Sequence, residues 1–82
     1  MEKSEFNIAF GQFIKNKRQV LNWSQIDLAS KIGNNPQNIS RIERGEINPT
    51  IFWTTKLAQV FNCLTSELIK EFEDFVKDQQ RI

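Results

Sequence analysis

Gln37, Ser40, Arg41 and Arg44 fall within one face of a helix at about 100° per residue, with Ile39 and Ile42 on the opposite face. These are the residue types of a hydrogen-bonding reader. A Gln amide matches adenine N6/N7, an Arg fork matches guanine O6/N7, and a Ser hydroxyl can serve either. Asn38 lies at the edge of the same face. On an isolated helix such residues describe an ordinary solvated surface. The elements around them decide between the two readings.

Those elements run from Ser24 to Gly45. Ser24 is a suitable N-cap for a helix carrying Ile26, Leu28, Ala29 and Ile32, and Asp27 three residues on completes an acidic capping box. Gly33 ends that helix in the left-handed conformation that Gly tolerates. Asn35 then caps the next helix, with Pro36 at its first position, where a missing N–H costs nothing. Two short helices joined by a glycine turn make a helix-turn-helix, whose second helix can lie in a DNA major groove. Inside that frame Gln37 and Arg41 are the leading base readers. Helix N-termini and cations hold phosphates and fix the docking register. Gln25 at the start of helix two, with Arg44 and Asn48, is placed for this; Lys15 and Lys31 are further candidates that plain solvation explains equally well.

The rest of the chain reads as support. Met1 to Glu5 is polar and expected to be loose. From Phe6, the residues Phe6, Phe10, Phe13, Ile14, Leu21 and the stem of Lys17 predict a first helix, with Asn22 as terminator and Trp23 as a plug on the core. Asn48-Pro49-Thr50 turns and caps a fourth helix over about residues 51–61, with a core stripe of Ile51, Thr54, Leu57, Ala58 and Phe61, closed by Asn62. A fifth helix starts at Thr65 or Ser66 and reaches Gln79, striped by Leu68, Ile69, Phe72, Phe75 and Val76. With no strand alternation, the prediction is an all-α fold of five helices in one domain spanning residues 1–82, with 65–82 as the C-terminal helical stretch. Arg18 and Glu43 are expected to form a partly buried ion pair tying helix one to helix three, since an exposed Glu43 beside the reading face would repel phosphate. Trp53, Phe72, Phe75 and Val76 exceed what a small monomer leaves uncovered. They are expected to contribute a homodimer contact. The competing packing folds helix five back over Phe6 and Phe10.

Composition bounds the function. Eighty-two residues with seven Phe and two Trp suffice for one small core. A net charge of +1 neither favours nor opposes a nucleic-acid partner. The lone Cys63 has apolar neighbours and reads as a structural thiol. With no His or Tyr, and no carboxylate pair at acid–base or metal spacing, an enzyme, a metal site and a cofactor are not expected. The sequence holds no run long enough to span a membrane and no signal-peptide pattern, so a cytoplasmic location is the expectation. A chain of this length leaves no room for a ligand-sensing domain, and no small-molecule ligand is expected.

The residues Ser24-Gln25, Leu28-Ala29, Gly33, Ile39 to Gly45 and Asn48-Pro49, continuing through Leu57-Ala58 and Leu68, resemble the Cro/C1-type or XRE family of helix-turn-helix regulators. Gly11, Ile14 and Arg18 match that family's first helix without a gap. The resemblance implies a compact five-helix, lambda-repressor-like domain that binds a palindromic operator in double-stranded DNA as a two-fold dimer. It places Pro36, Gln37 and Arg41 at base-facing positions, Gln25 on a phosphate, Arg44 and Asn48 on the backbone-contacting loop, and Arg18 and Glu43 in an internal salt bridge. The chain departs from the pattern at Pro36, where readout can only be apolar, at Thr54, where a larger aliphatic is usual, and at Phe52 and Trp53, where polar residues are common. Single-domain relatives of this kind include restriction–modification controllers, phage repressors and antitoxins. A second protein partner, held by the same fold with DNA contacts secondary, is therefore the rival reading.

Overall fold

The computed structural model describes residues 1–79 as five helices: α1 Lys3–Val20, α2 Gln25–Ile32, α3 Pro36–Glu43, α4 Ile51–Val60 and α5 Thr65–Gln79. Of the stretch 65–82, residues 80–82 lie outside the described residues. Local chemistry sets most of the joints. Asn22 and Asn62 both take φ near 60°, the left-handed conformation that a short polar side chain tolerates, and so end α1 and α4. Thr50 caps α4 by accepting from the Trp53 N–H at 3.2 Å.

One core joins the five helices: Phe10, Phe13, Ile14, Leu28, Ala29, Ile32, Ile39, Leu57, Ala58, Leu68 and Phe72 are all buried in it. Gly11 is what lets α1 lie against α3. A Cβ at that position would clash with the main-chain carbonyls of Ile42 and Glu43, 2.7 Å from the latter's oxygen. Trp23 stacks on Phe61, centroids 6.0 Å apart, and both pack against the core. Lys17 places its ammonium over the Phe13 and Phe61 rings, 5.8 and 5.3 Å from their centroids, and bonds it to Glu71 at 3.0 Å. Thr54 fits a core position because its hydroxyl donates to the Thr50 carbonyl at 2.9 Å.

Three expectations are corrected. The N-terminus is not loose over residues 1–5: α1 starts at Lys3, and the Phe6 N–H closes its first turn on the Glu2 carbonyl at 2.9 Å. Phe6 is anchored on Phe10 and Phe72, so the turn preceding it is held. Ile51 is not in the core but 79% exposed, because it opens α4 on the solvent side of the Thr50 cap. The last turn of α4 closes at Val60, one residue early, with Phe61 as its C-cap. Phe72 is 4% exposed and meets Phe6 and Phe10 edge-on, at 5.1 and 5.2 Å, as α5 folds back over α1. Burying such a ring contributes about 1.5–3 kcal/mol. The Phe72 ring is therefore spent within the chain, as in the competing packing.

Candidate nucleic-acid interface

The geometry of α2 and α3 is fixed first by their own caps. Ser24 Oγ accepts from the Asp27 N–H at 3.0 Å while Asp27 Oδ2 accepts from the Ser24 N–H at 2.8 Å, a complete capping box. The Ser24 backbone N–H, and after it the Ser24 hydroxyl, hold the Asp27 carboxyl below its ordinary pKa. Gly33 turns the chain with φ 73°. Asn35 Oδ1 then accepts from the Asn38 N–H at 2.8 Å, with Pro36 at the first helical position. Asn34 Oδ1 accepts from both the Asn35 N–H and Asn38 Nδ2, at 2.8 and 2.9 Å. The Asn38 amide is thus already engaged in the turn.

The buried side of α3 is tied to α1 and α2. Arg18 donates Nε to Glu43 Oε2 at 2.7 Å and Nη2 to Oε1 at 3.0 Å, a two-pronged pair with side chains only 9% and 2% exposed. Arg18 Nη1 also donates to the Trp23 carbonyl at 2.7 Å, and Gln25 Nε2 donates to Glu43 Oε1 at 3.0 Å. Among the described residues, no buried side-chain polar atom lacks a partner. The hydrogen bonds to Glu43 raise the Arg18 pKa against the opposing effect of burial. Gln25 therefore sits at the start of α2 with one amide hydrogen committed to this network, and its side chain is oriented by it.

The opposite side of α3 faces solvent. Gln37, Arg41 and Arg44 are exposed, and Pro36, Asn38 and Ser40 are half-buried beside them. Arg44 donates Nη1 to Ser40 Oγ, and Nε and Nη2 to Glu46 at 2.5 and 3.3 Å. Glu46 also lies 3.8 Å from Arg41 Nε. Its carboxyl is held below its ordinary pKa chiefly by Arg44, whose own pKa is raised in return. Sequence reasoning missed Glu46. The charge alternation Arg41, Glu43, Arg44, Glu46 was visible, but Glu46 follows the positive-φ Gly45, where helical periodicity no longer tells which way a side chain points.

The remaining polar residues are more scattered. Asn48 is exposed and donates to Asn7 Oδ1 of α1 at 2.6 Å, which pins the loop after α3. Lys31, in the last turn of α2, lies over the Trp23 ring at 4.7 Å. Lys15 borders a shallow shelf with Gln12, Asn16 and Phe75, between α1 and α5. Trp53, Phe75 and Val76 are half-buried against the core rather than standing free. The large apolar side chains that α4 and α5 do present to solvent are Ile51, Phe52 and Ile69. Ile51 and Ile69 border one groove with Phe6, Pro49 and Thr54.

A family model described as helix-turn-helix matches residues 14–68, from the middle of α1 into α5. Among solved structures, the chain is similar to the restriction-modification controller protein C.AhdI from Aeromonas hydrophila, with 28% identity and a TM-score of 0.73 over 78% of this chain and 97% of that one. It is similar in fold to the clp gene regulator ClgR from Corynebacterium glutamicum, with 16% identity and a TM-score of 0.78 over 90% of this chain and 79% of that one. A hydroxypropylphosphonic acid epoxidase from S. wedmorenis shares the fold over 76% of this chain but only 33% of its own, with 24% identity and a TM-score of 0.66. No curated protein sequence matches the chain.

Proposed function

The chain belongs to the Cro/C1-type helix-turn-helix family of DNA-binding transcription regulators, and from that premise we propose that it binds a palindromic operator as a homodimer, with α3 in the major groove. One observation carries the reading: α3 buries Ile39, Ile42 and Glu43 and presents Gln37, Ser40, Arg41 and Arg44 on its free side. Gln37 and Arg41 are assigned to base edges, and Pro36 to an apolar contact such as a thymine methyl. Ser40 and Asn38 flank them. Arg44, Asn48 and the N-terminus of α2 at Gln25 are assigned to phosphates, with Lys31 and Lys15 as outer contacts.

In the proposed dimer the exposed Ile51, Phe52 and Ile69 are covered, with the half-buried Trp53, Phe75 and Val76 contributing their exposed edges. A two-fold arrangement sets the recognition helices about 34 Å apart, one turn of DNA. The reading is of a binding protein rather than an enzyme, since the family match spans the helices around the turn and the epoxidase likeness is confined to a third of that chain.

Selection of bound sequences from a random duplex pool tests this, followed by the salt dependence of the winner and sedimentation of the complex. The expected result is a symmetric consensus, steep loss of affinity with salt, and two chains per site. No enrichment of any sequence would overturn the operator reading. It would leave the exposed Ile51 and Phe52 as a surface for a second protein.

A further inference from the structure

Among the described residues, Glu46 is the one carboxylate paired with arginines of the proposed reading face. Its oxygens lie 2.5 Å from Arg44 Nε and 3.8 Å from Arg41 Nε, and its side chain is about half exposed, at 48%. It is not a structural tie like Glu43, which is 2% exposed: both its partners are themselves half exposed. A carboxylate and a phosphate present the same planar pair of acceptors to a guanidinium. Arg44 bonded to Glu46 is therefore occupied in the way DNA would occupy it.

We propose that Glu46 sets specificity in this protein, by competing with phosphate for Arg44 while steadying Arg41 for its base. The inference rests on the DNA-binding reading above. On unrelated sequence, affinity comes almost wholly from phosphate contacts, so the exchange of Glu46 for phosphate at Arg44 returns little. On the operator, Arg41 also finds a base, and a guanidinium attracted by the carboxylate 3.8 Å away, at ion-pair rather than hydrogen-bond distance, reaches it with less freedom left to lose. Glu46 thus subtracts from non-specific binding more than from specific binding. It acts through the two arginines and is a positioning residue.

The test compares the full chain with Glu46→Gln, measuring affinity for the selected operator and for a random duplex of equal length at one salt concentration. Random-duplex affinity is expected to rise about two- to fivefold, the scale of one exposed ion pair. Operator affinity is expected to rise less, so that the ratio of the two falls. In an Arg44→Ala background the gain on random duplex is expected to vanish. Thermal melting of each variant confirms that folding is unchanged. Equal gains on both duplexes, no gain on either, or a gain that persists without Arg44 would each overturn the assignment. If neither the wild type nor the variant binds any duplex, the DNA-binding reading itself fails and the role of Glu46 with it, whereas binding with an unaltered ratio removes Glu46 alone.

Discussion

An arginine–glutamate pair lies on each side of α3, Arg18 of α1 with Glu43 at its last position and Arg44 with Glu46 just past its end, and the two are nearly alike in geometry, at 2.7 and 2.5 Å. Their surroundings differ. Arg18 and Glu43 are 9% and 2% exposed, whereas Arg44 and Glu46 are 56% and 48% exposed. Removing one partner of the buried pair strands a charge away from water, which costs far more than the pair itself contributes. Removing one partner of the exposed pair leaves a hydrated charge at little cost. One pair can therefore hold the recognition helix in place, and the other can be exchanged for a ligand. Distance alone would not separate them.

The largest effect expected from this contrast is Arg18→Ala, which should destabilise the fold by about 3–5 kcal/mol, seen as a strongly lowered melting temperature. Arg44→Ala should leave melting almost unchanged and weaken binding to all duplexes alike. Equal melting for the two variants would break the comparison. Gly11→Ala comes next. It inserts a methyl group between α1 and the carbonyls of Ile42 and Glu43, and should cost about 1–3 kcal/mol as overpacking does. Because it displaces α3, it should lower operator affinity along with melting temperature.

The smallest effect concerns acid. The Asp27 carboxyl has its pKa lowered by the Ser24 backbone N–H and then by the Ser24 hydroxyl, so it contributes stability above its unfolded pKa that is lost as pH falls through the folded value. The window lies below about pH 4. Asp27→Asn should flatten the acid limb of melting temperature against pH by lowering the neutral region slightly while leaving the acid values near those of the wild type. A limb unchanged by the substitution would show that the capping box carries none of it.

The parts of the fold legible in the sequence are those that a residue decides with its immediate neighbours. Ser24 with Asp27, Asn35 with Pro36, Thr50, Gly33, Asn22 and Asn62 announce caps and turns because each satisfies a backbone group or a positive φ within a few residues. The Arg18–Glu43 pair was legible as well, since Glu43 falls on the apolar side of α3 and a buried carboxylate needs a cation. What depends on how helices dock was not. Phe72 sits on the same stripe as Phe75 and Val76, and only the closure of α5 over Phe6 and Phe10 distinguishes them. The early start of α1 depends on that same contact. Ile51 fits a helical core stripe in sequence but faces solvent at the first turn of α4. Glu46 lies beyond the last residue whose direction periodicity controls.

The claim that the free face of α3 reads bases is tested most directly by repeating the random-pool selection with Arg41→Ala. Preference at one base position in each half-site should fall by about 1–3 kcal/mol, symmetrically, with the remaining positions of the consensus retained. A consensus identical to that of the wild type would remove Arg41 from the readout and contradict the assignment of this face to the major groove.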